Sequence, residues 1–288
     1  MVNHNKTSMF DIVNALFMGF IILIMAYPFI YMISISFSDT SYILQNKVSF
    51  FPRGFNINAY TMIFGSPKIP RAYMNTVIYT SVGAFINVLF TAVTAYPLSK
   101  KGMIGRKYVM MLIIFTMFFN GGIIPNYILV KNLGLIDSIW AIVIPNAIWT
   151  YELLILKSFY ENLASEIYES AIIDGASEFR ILFRIFMPLA KPAIASITLF
   201  YAMRHWNSFF IPMIYLNDLN KLPLQVVLKE MLIQDTAKAS SNLSEYASLT
   251  PEALKNATIV ISTVPMLLLY PYIQRFFVKG IMLGAVKG

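Results

Sequence analysis

Among 288 residues there is no cysteine, only two histidines, and only 12% charged side chains. The missing cysteines exclude disulfides and thiolate metal sites. His4 and His205 stand far apart in the chain and no H-E-x-x-H pair occurs, so the sequence offers no metal constellation. No G-x4-G-K-[ST] loop is present to cradle a nucleotide phosphate; residues 102–107 hold glycines and bases at the wrong spacing. A G-x-S-x-G nucleophile elbow is also missing. An enzyme therefore has almost no support. No basic block with interleaved aromatics lies outside the apolar segments, which counts against a nucleic-acid partner.

What is present is apolar. The chain is 58% hydrophobic, with a mean hydropathy of +0.65, and a soluble domain carries roughly twice this charge fraction. Its long apolar runs lack the period-2 alternation of a barrel, so the chain reads as an all-α integral membrane protein. The net charge of +8 fits the excess of Lys and Arg in cytoplasmic loops.

A span needs about 20 apolar residues. On that measure the spans fall at about 10–37, 72–98, 108–130, 138–159, 192–215 and 257–277. The first is too long for a signal-peptide core and has no small-residue cleavage site, so it reads as a retained span. Lys100, Lys101, Arg106 and Lys107 make the short loop 99–107 the densest basic cluster, which places it in the cytoplasm. Parity then puts residues 1–9 and the tail, with Arg275, Lys279 and Lys287, on the same side. Both termini are thus expected in the cytoplasm, around a single membrane domain over 10–288. The aromatic-rich stretch 38–71, the loop 131–137 and the polar stretch 217–256 fall outside. The prolines at 28, 125, 145, 212, 265 and 271 are expected to bend helices.

Between the fourth and fifth spans lies a polar segment, ENLASEIYESAIIDGASEFRILFRIFMP, at 161–188. Ile167, Ala171 and Ile172 fall at helical spacing. Asp174-Gly175 breaks the helix, Ser177 can cap a second one over 178–186, and Pro188 stops it. A short helix, a turn and another short helix do not lie in lipid, so this element is expected to project as a docking surface. Arg180 and Arg184, four apart on one helix face, would meet a partner protein or lipid phosphates.

Two constellations of polar residues lie within the apolar sequence. Arg204-His205-Trp206-Asn207 falls in the fifth span, where an Arg costs at least ~2.5 kcal/mol at mid-membrane and so should face protein or water. Trp offers a flat apolar face and Asn a donor and an acceptor, which suits sugar rings and hydroxyls. The alternative is a polar lock between helices. Tandem residues also point around the helix, so not all four can face one cavity. Glu152, in the fourth span, is expected to pair with Arg204 or Lys157 as glue, or, if free, to contact substrate. Asn75, Asn87 and Asn120 are weaker candidates, since single Asn residues often bond across helices.

The segment 161–188 resembles the EAA loop of binding-protein-dependent ABC importers, E-A-A-x3-G-x9-I-x-L-P. Glu169, Ala171, Gly175, Ile185 and Pro188 match it, with Ser170 for the middle Ala and Met187 for the Leu. Asn75-Thr76, Ala95-Tyr96-Pro97-Leu98-Ser99, Trp206-Asn207-Ser208-Phe209-Phe210 and the tail at 284–288 are similar to MalG-type sugar permeases. Asn120-Gly121-Gly122-Ile123-Ile124-Pro125, Leu222-Pro223-Leu224-Gln225 and Lys279-Gly280-Ile281-Met282-Leu283-Gly284 resemble the LplC/YtcP-like branch.

The resemblance implies a six-helix type I importer permease (MetI-like) of the cell membrane, with a cytoplasmic coupling helix. Glu169, Ala171, Asp174, Gly175, Ile185 and Pro188 would couple it to an ATPase. Glu169 would pair with an Arg there, and Ala171 would be small for close seating. Arg204, His205, Trp206, Asn207, Glu152 and Asn120 would line the substrate path. It further implies a second permease subunit (a heterodimer by family habit), two ATPase subunits that bind the ATP and Mg, an extracellular solute-binding protein, surrounding membrane lipid, and an oligosaccharide substrate from polysaccharide breakdown. This chain itself would hold no cofactor. The rival reading, an ion-coupled secondary transporter, needs buried titrating carboxylates and paired inverted repeats; Glu152 is its one strong carboxylate candidate.

Overall fold

The computed structural model describes residues 9–65, 67–163, 165–238 and 251–285. The N-terminal residues 1–8, residues 239–250 of the polar stretch 217–256 and the last three tail residues lie outside that set, as do the side chains of Arg275 and Lys279. No strand occurs among the described residues, and the chain is α-helical.

The described residues group into two compact units. One takes those of Met1–Pro70 and Leu228–Val264. Helix α1, Met9–Ser36, is apolar on every side with Pro28 inside, and only Ser34, Ile35 and Ser36 at its end are buried. A helix apolar all round belongs in a core or in lipid. The following segment folds back on its end. Ser38 donates to the Ser34 carbonyl at 2.6 Å and accepts from the Arg53 amide at 3.0 Å. Phe37 stacks on Phe55 and on Tyr60, whose hydroxyl meets Ser36 Oγ at 2.8 Å. Asp39 caps α2 (Thr40–Leu44) through the Ser41 amide, and α3 (Asn58–Gly65) follows. Lys68 pairs with Glu230 at 2.9 Å.

The other unit takes Arg71–Val227 and the described part of Pro265–Gly288. Its long element is α4, Lys68–Ser99, which begins just before the unit. Then come α5 (Arg106–Phe118), α6 (Ile123–Asn132), α7 (Ile139–Val143) with a 3-10 turn, and α8 (Thr150–Glu161). Next are α9 (Ser165–Ile173), α10 (Glu178–Ile181), a π-helical turn Leu182–Phe186, and α11 (Met187–Leu189). The chain continues through α12 (Lys191–Trp206), α13 (Phe210–Tyr215), α14 (Leu224–Lys238) and α15 (Pro251–Ala285). Its core is built on alanines of α4, Ala84, Ala92 and Ala95, against Leu153, Leu156 and Tyr160 of α8 and Ile197 and Tyr201 of α12. Small residues at these positions let the helices approach closely without a hydrophobic drive from water.

By length and apolarity α1 and α4 suffice to cross a membrane, and three bent pairs follow. The stretch 108–130 is two arms, α5 and α6, at 116°. At 13 residues α5 is about 20 Å long, short of the ~30 Å hydrocarbon layer. Ile139–Asn146 meets α8 at 53°, and Glu178–Leu189 meets α12 at 84°. The stretch 192–215 is likewise not one helix: α12 ends at Trp206 with Asn207 as its C-cap. Arg204 therefore sits in the last turn of a helix rather than in the middle of one.

Candidate coupling element and translocation site

The segment 161–188 ends its first helix with paired bonds. The Ala176 amide reaches back to the Ala171 carbonyl and the Gly175 amide to the Ile172 carbonyl, both at 3.0 Å. This is the Schellman arrangement, and it needs a left-handed residue at Gly175, where φ is +71°. Ser177 then caps α10 by accepting from the Arg180 amide. The second helix does not stop before Pro188, as the sequence suggests, but runs to Leu189. In the π turn the Met187 amide bonds to the Leu182 carbonyl. The wider turn makes room for a proline ring, which has no amide to satisfy. The bend falls at Ala190, which is fully buried.

The element presents Glu169, Ile172, Ile173, Asp174 and Phe179 to the outside. Ala171 is buried and Ile185 half-buried, both against this chain's own core. The small side chain at 171 thus serves the seating of α9 on its own unit.

A clamp that sequence reasoning missed holds the element. Glu178 accepts hydrogen bonds from Tyr96 at 2.5 Å and Tyr168 at 2.9 Å and is paired with Lys100. The Lys100 ammonium lies 4.4 Å from the centre of both tyrosine rings. Desolvation acts to push the Glu178 carboxyl up, but the bonds from Lys100, Tyr96 and Tyr168 hold it below its ordinary value. At the other end Glu161 is shared by Arg106 and Lys157. The basic loop and the EAA-like segment, placed on one side by parity, are therefore joined by two ionic clusters. The signal lay in Glu161 and Glu178, which flank the motif and oppose the densest basic cluster.

Two stretches expected on the opposite side, 131–137 and 217–256, also meet each other and the start of the second span. Asn75 donates to the carbonyls of Asn220 and Leu222, Tyr79 to that of Lys221, and Thr76 accepts from the Leu224 amide at 2.8 Å. Asp137, at φ +61°, accepts from the amides of Asn217 and Asp218 and pairs with Lys221 at 2.8 Å. The Lys221 hydrogen bond and these amides hold its carboxyl below the usual range. Asn75 is thus a structural tie for the Leu222-Pro223-Leu224-Gln225 loop.

The second constellation surrounds a cavity of about 240 Å³, lined by Ile142, Asn146, Trp149, Tyr201, Arg204, His205, Ser208 and Ile211. Arg204 Nη2 donates to Glu152 Oε1 at 2.8 Å and its guanidinium lies 3.8 Å from the Trp149 ring centre. The pair is lopsided: the carboxylate side chain is 1% exposed and the guanidinium side chain 39%. Glu152 Oε2 is buried without a hydrogen-bond partner among the described residues. A ligand in the cavity meets the cation, while the anion that anchors it is hidden. Lys157, the other partner considered for Glu152, is instead bound to Glu161.

His205 is held from behind. Asn87 Nδ2 donates to the Asn146 carbonyl at 2.6 Å, so its Oδ1 is left to accept from His205 Nε2, also at 2.6 Å. Tyr201 Oη accepts from the Trp149 amide and shares a hydrogen bond with Thr91 Oγ1 at 2.7 Å. Trp206 and Asn207 do not line the cavity. Trp206 is buried edge-on against Tyr73, and Asn207 is exposed, donating to the Met203 carbonyl. Asn120 lies away from it too, accepting from the Gly122 amide at the break after α5. Four tandem residues on a helix diverge by about 100° each, which is why only Arg204 and His205 share the space.

No family model matches the chain. It is 41% identical over 289 residues to protein LplC of Bacillus subtilis (strain 168), an alignment covering 100% of this chain and 98% of that one. It is 40% identical over 286 residues to the polygalacturonan/rhamnogalacturonan transport system permease protein YtcP of the same organism, covering 98% and 100%. Among solved structures, a chain from the crystal structure of a bacterial ABC transporter involved in the import of the acidic polysaccharide alginate superposes with a TM-score of 0.87. The two are 33% identical, and the match covers 94% of this chain and 99% of that one. Full-length identity at this level, together with the shared fold, makes the chain a membrane permease subunit of the ATP-driven (ABC) sugar importer family, in the branch of LplC and YtcP.

Proposed function

We propose that this chain is one half of a paired permease that imports oligosaccharides released from acidic polysaccharides. An extracellular binding protein delivers the substrate, and two cytoplasmic ATPase subunits, which bind the ATP and Mg, grip the face of α9 that carries Glu169 and Asp174. The second permease subunit is a different chain, both termini lie in the cytoplasm, and this subunit holds no nucleotide site of its own. The observation that carries the reading is the double ionic fastening of 161–188 to the basic loop, by Glu178–Lys100 and by Glu161–Arg106. It ties the lever at both ends to the loop that joins α4 and α5, so a push on α9 is passed to those helices rather than absorbed.

Two observations favour an acidic substrate: Arg204 is the exposed member of its pair in the cavity, and YtcP and the alginate transporter are named for acidic polysaccharides. The ion-coupled alternative needs a carboxylate that exchanges a proton or sodium, whereas Glu152 is engaged by Arg204. The test is ATP hydrolysis by the reconstituted complex with its binding protein. Oligogalacturonides are expected to stimulate it, and their neutral methyl esters to stimulate it at least fivefold less. Uptake that persists without ATP under an ion gradient would overturn the reading.

A further inference from the structure

A second, larger cavity of about 790 Å³ opens between the basic loop, α5 and α8. Its polar rim is made by Lys101, Arg106, Lys107 and Lys157, and its wall includes Met111 and Ile114 of α5. Arg106 and Lys157 share the one carboxylate of Glu161, and Lys101 and Lys107 have no ion pair among the described residues. The rim is therefore strongly cationic even after its internal pairing.

The wall is apolar and open: Met111 is 58% exposed, and Leu112 and Phe115 continue the uncovered surface along α5. A small anion would satisfy the rim but not the wall, and a hydrocarbon chain would satisfy the wall but not the rim. One class of molecule joins both parts, an anionic head and a hydrocarbon tail. The groove also sits at the polar end of an apolar helix, the level of a membrane surface on whichever side that end lies. We propose that it is a binding site for an anionic phospholipid. The headgroup phosphate lies among Lys101, Lys107 and Arg106, and an acyl chain lies along Met111 and Ile114. The lipid supplies counter-charge where Arg106 and Lys157 have only one carboxylate between them, and so steadies the loop that fastens 161–188.

The test uses the complete transporter in phosphatidylcholine nanodiscs doped with phosphatidylglycerol, with retained lipid counted by native mass spectrometry. Wild type is expected to retain phosphatidylglycerol over phosphatidylcholine. Lys101→Gln and Lys107→Gln each remove a charge without breaking an ion pair, and each should weaken retention about fivefold. Lys131→Gln, which removes a charge elsewhere, should leave retention unchanged; an equal loss in that variant would reduce the effect to general surface charge and overturn the site. Displacement of the lipid by inorganic phosphate alone would overturn it in favour of a free-anion site. With p-benzoylphenylalanine at position 111, irradiation is expected to yield a lipid adduct, and an adduct to the second permease subunit instead would show that protein covers the groove.

Discussion

The ring of His205 lies so close to Gly83 that a Cβ built on the glycine would stand 2.5 Å from Nε2, the same nitrogen that bonds Asn87. Gly83 thus sets how near α12 comes to α4 beside the cavity. Gly83→Ala must displace the imidazole and break its bond to Asn87. We expect about 1–3 kcal/mol of lost stability, read as a lower Tm of the purified complex, together with reduced substrate-stimulated ATP hydrolysis. An unchanged Tm would mean that the ring shifts without cost.

Arg204 and Glu152 differ in exposure, so the two single variants are not equivalent. Arg204→Gln leaves a buried carboxylate without its cation, and the expected cost is about 3–5 kcal/mol. The double variant Glu152→Gln/Arg204→Gln restores a neutral pair of similar shape and should regain most of that loss, as thermal unfolding would report. In the double variant, discrimination between oligogalacturonides and their methyl esters should fall to within about twofold, since the cation that reads charge is gone. Discrimination kept in full would rule out Arg204 as the reader.

Gly175 has open space around it but a backbone only glycine adopts cheaply. Gly175→Val therefore acts through φ, at a cost of about 1–2 kcal/mol, and opens the turn between α9 and α10. Membrane insertion should stay normal while uptake falls at least tenfold and ATP hydrolysis no longer responds to substrate. Normal uptake in this variant would count heavily against 161–188 as the coupling element.

Glu178 supplies a pH-dependent link. Its carboxyl is held below the ordinary glutamate value, so the stability it contributes is fully present above about pH 4.3 and is lost as the pH falls through the lowered value. Glu178→Gln should remove this acid-side dependence and loosen α10 from Lys100 and Tyr96. A plot of Tm against pH is expected to be flatter on its acid limb in the variant, and the ratio of sugar imported to ATP hydrolysed should drop severalfold near neutrality.

How far the sequence alone reached depends on the range of the contacts involved. The turn at Asp174-Gly175 and the Ser177 cap were legible because a left-handed glycine and a side-chain cap act within a few residues. The pairing of Glu152 was open between Arg204 and Lys157, since periodicity says which face a charge occupies and not what stands opposite. Gly83 was invisible as a spacer, because inside an apolar span a glycine in a packed contact looks like any other. The passage of the helix through Pro188 was misjudged for a local reason: a π turn five residues long cancels the usual effect of proline. The common acceptor of Tyr96 and Tyr168, Glu178, shows only once the fold brings together residues far apart in the chain.

The 84° bend at Ala190 makes α10–α11 and α12 the two arms of a bell crank. A sideways shove on the short arm comes out as a swing of the long one. With 16 residues, α12 is about 24 Å long, so a tilt of about 10° at the elbow carries its far end some 4 Å. Arg204 rides near that tip and the elbow is packed tight, so the greatest travel is delivered where the sugar would sit and the least where the joint must hold.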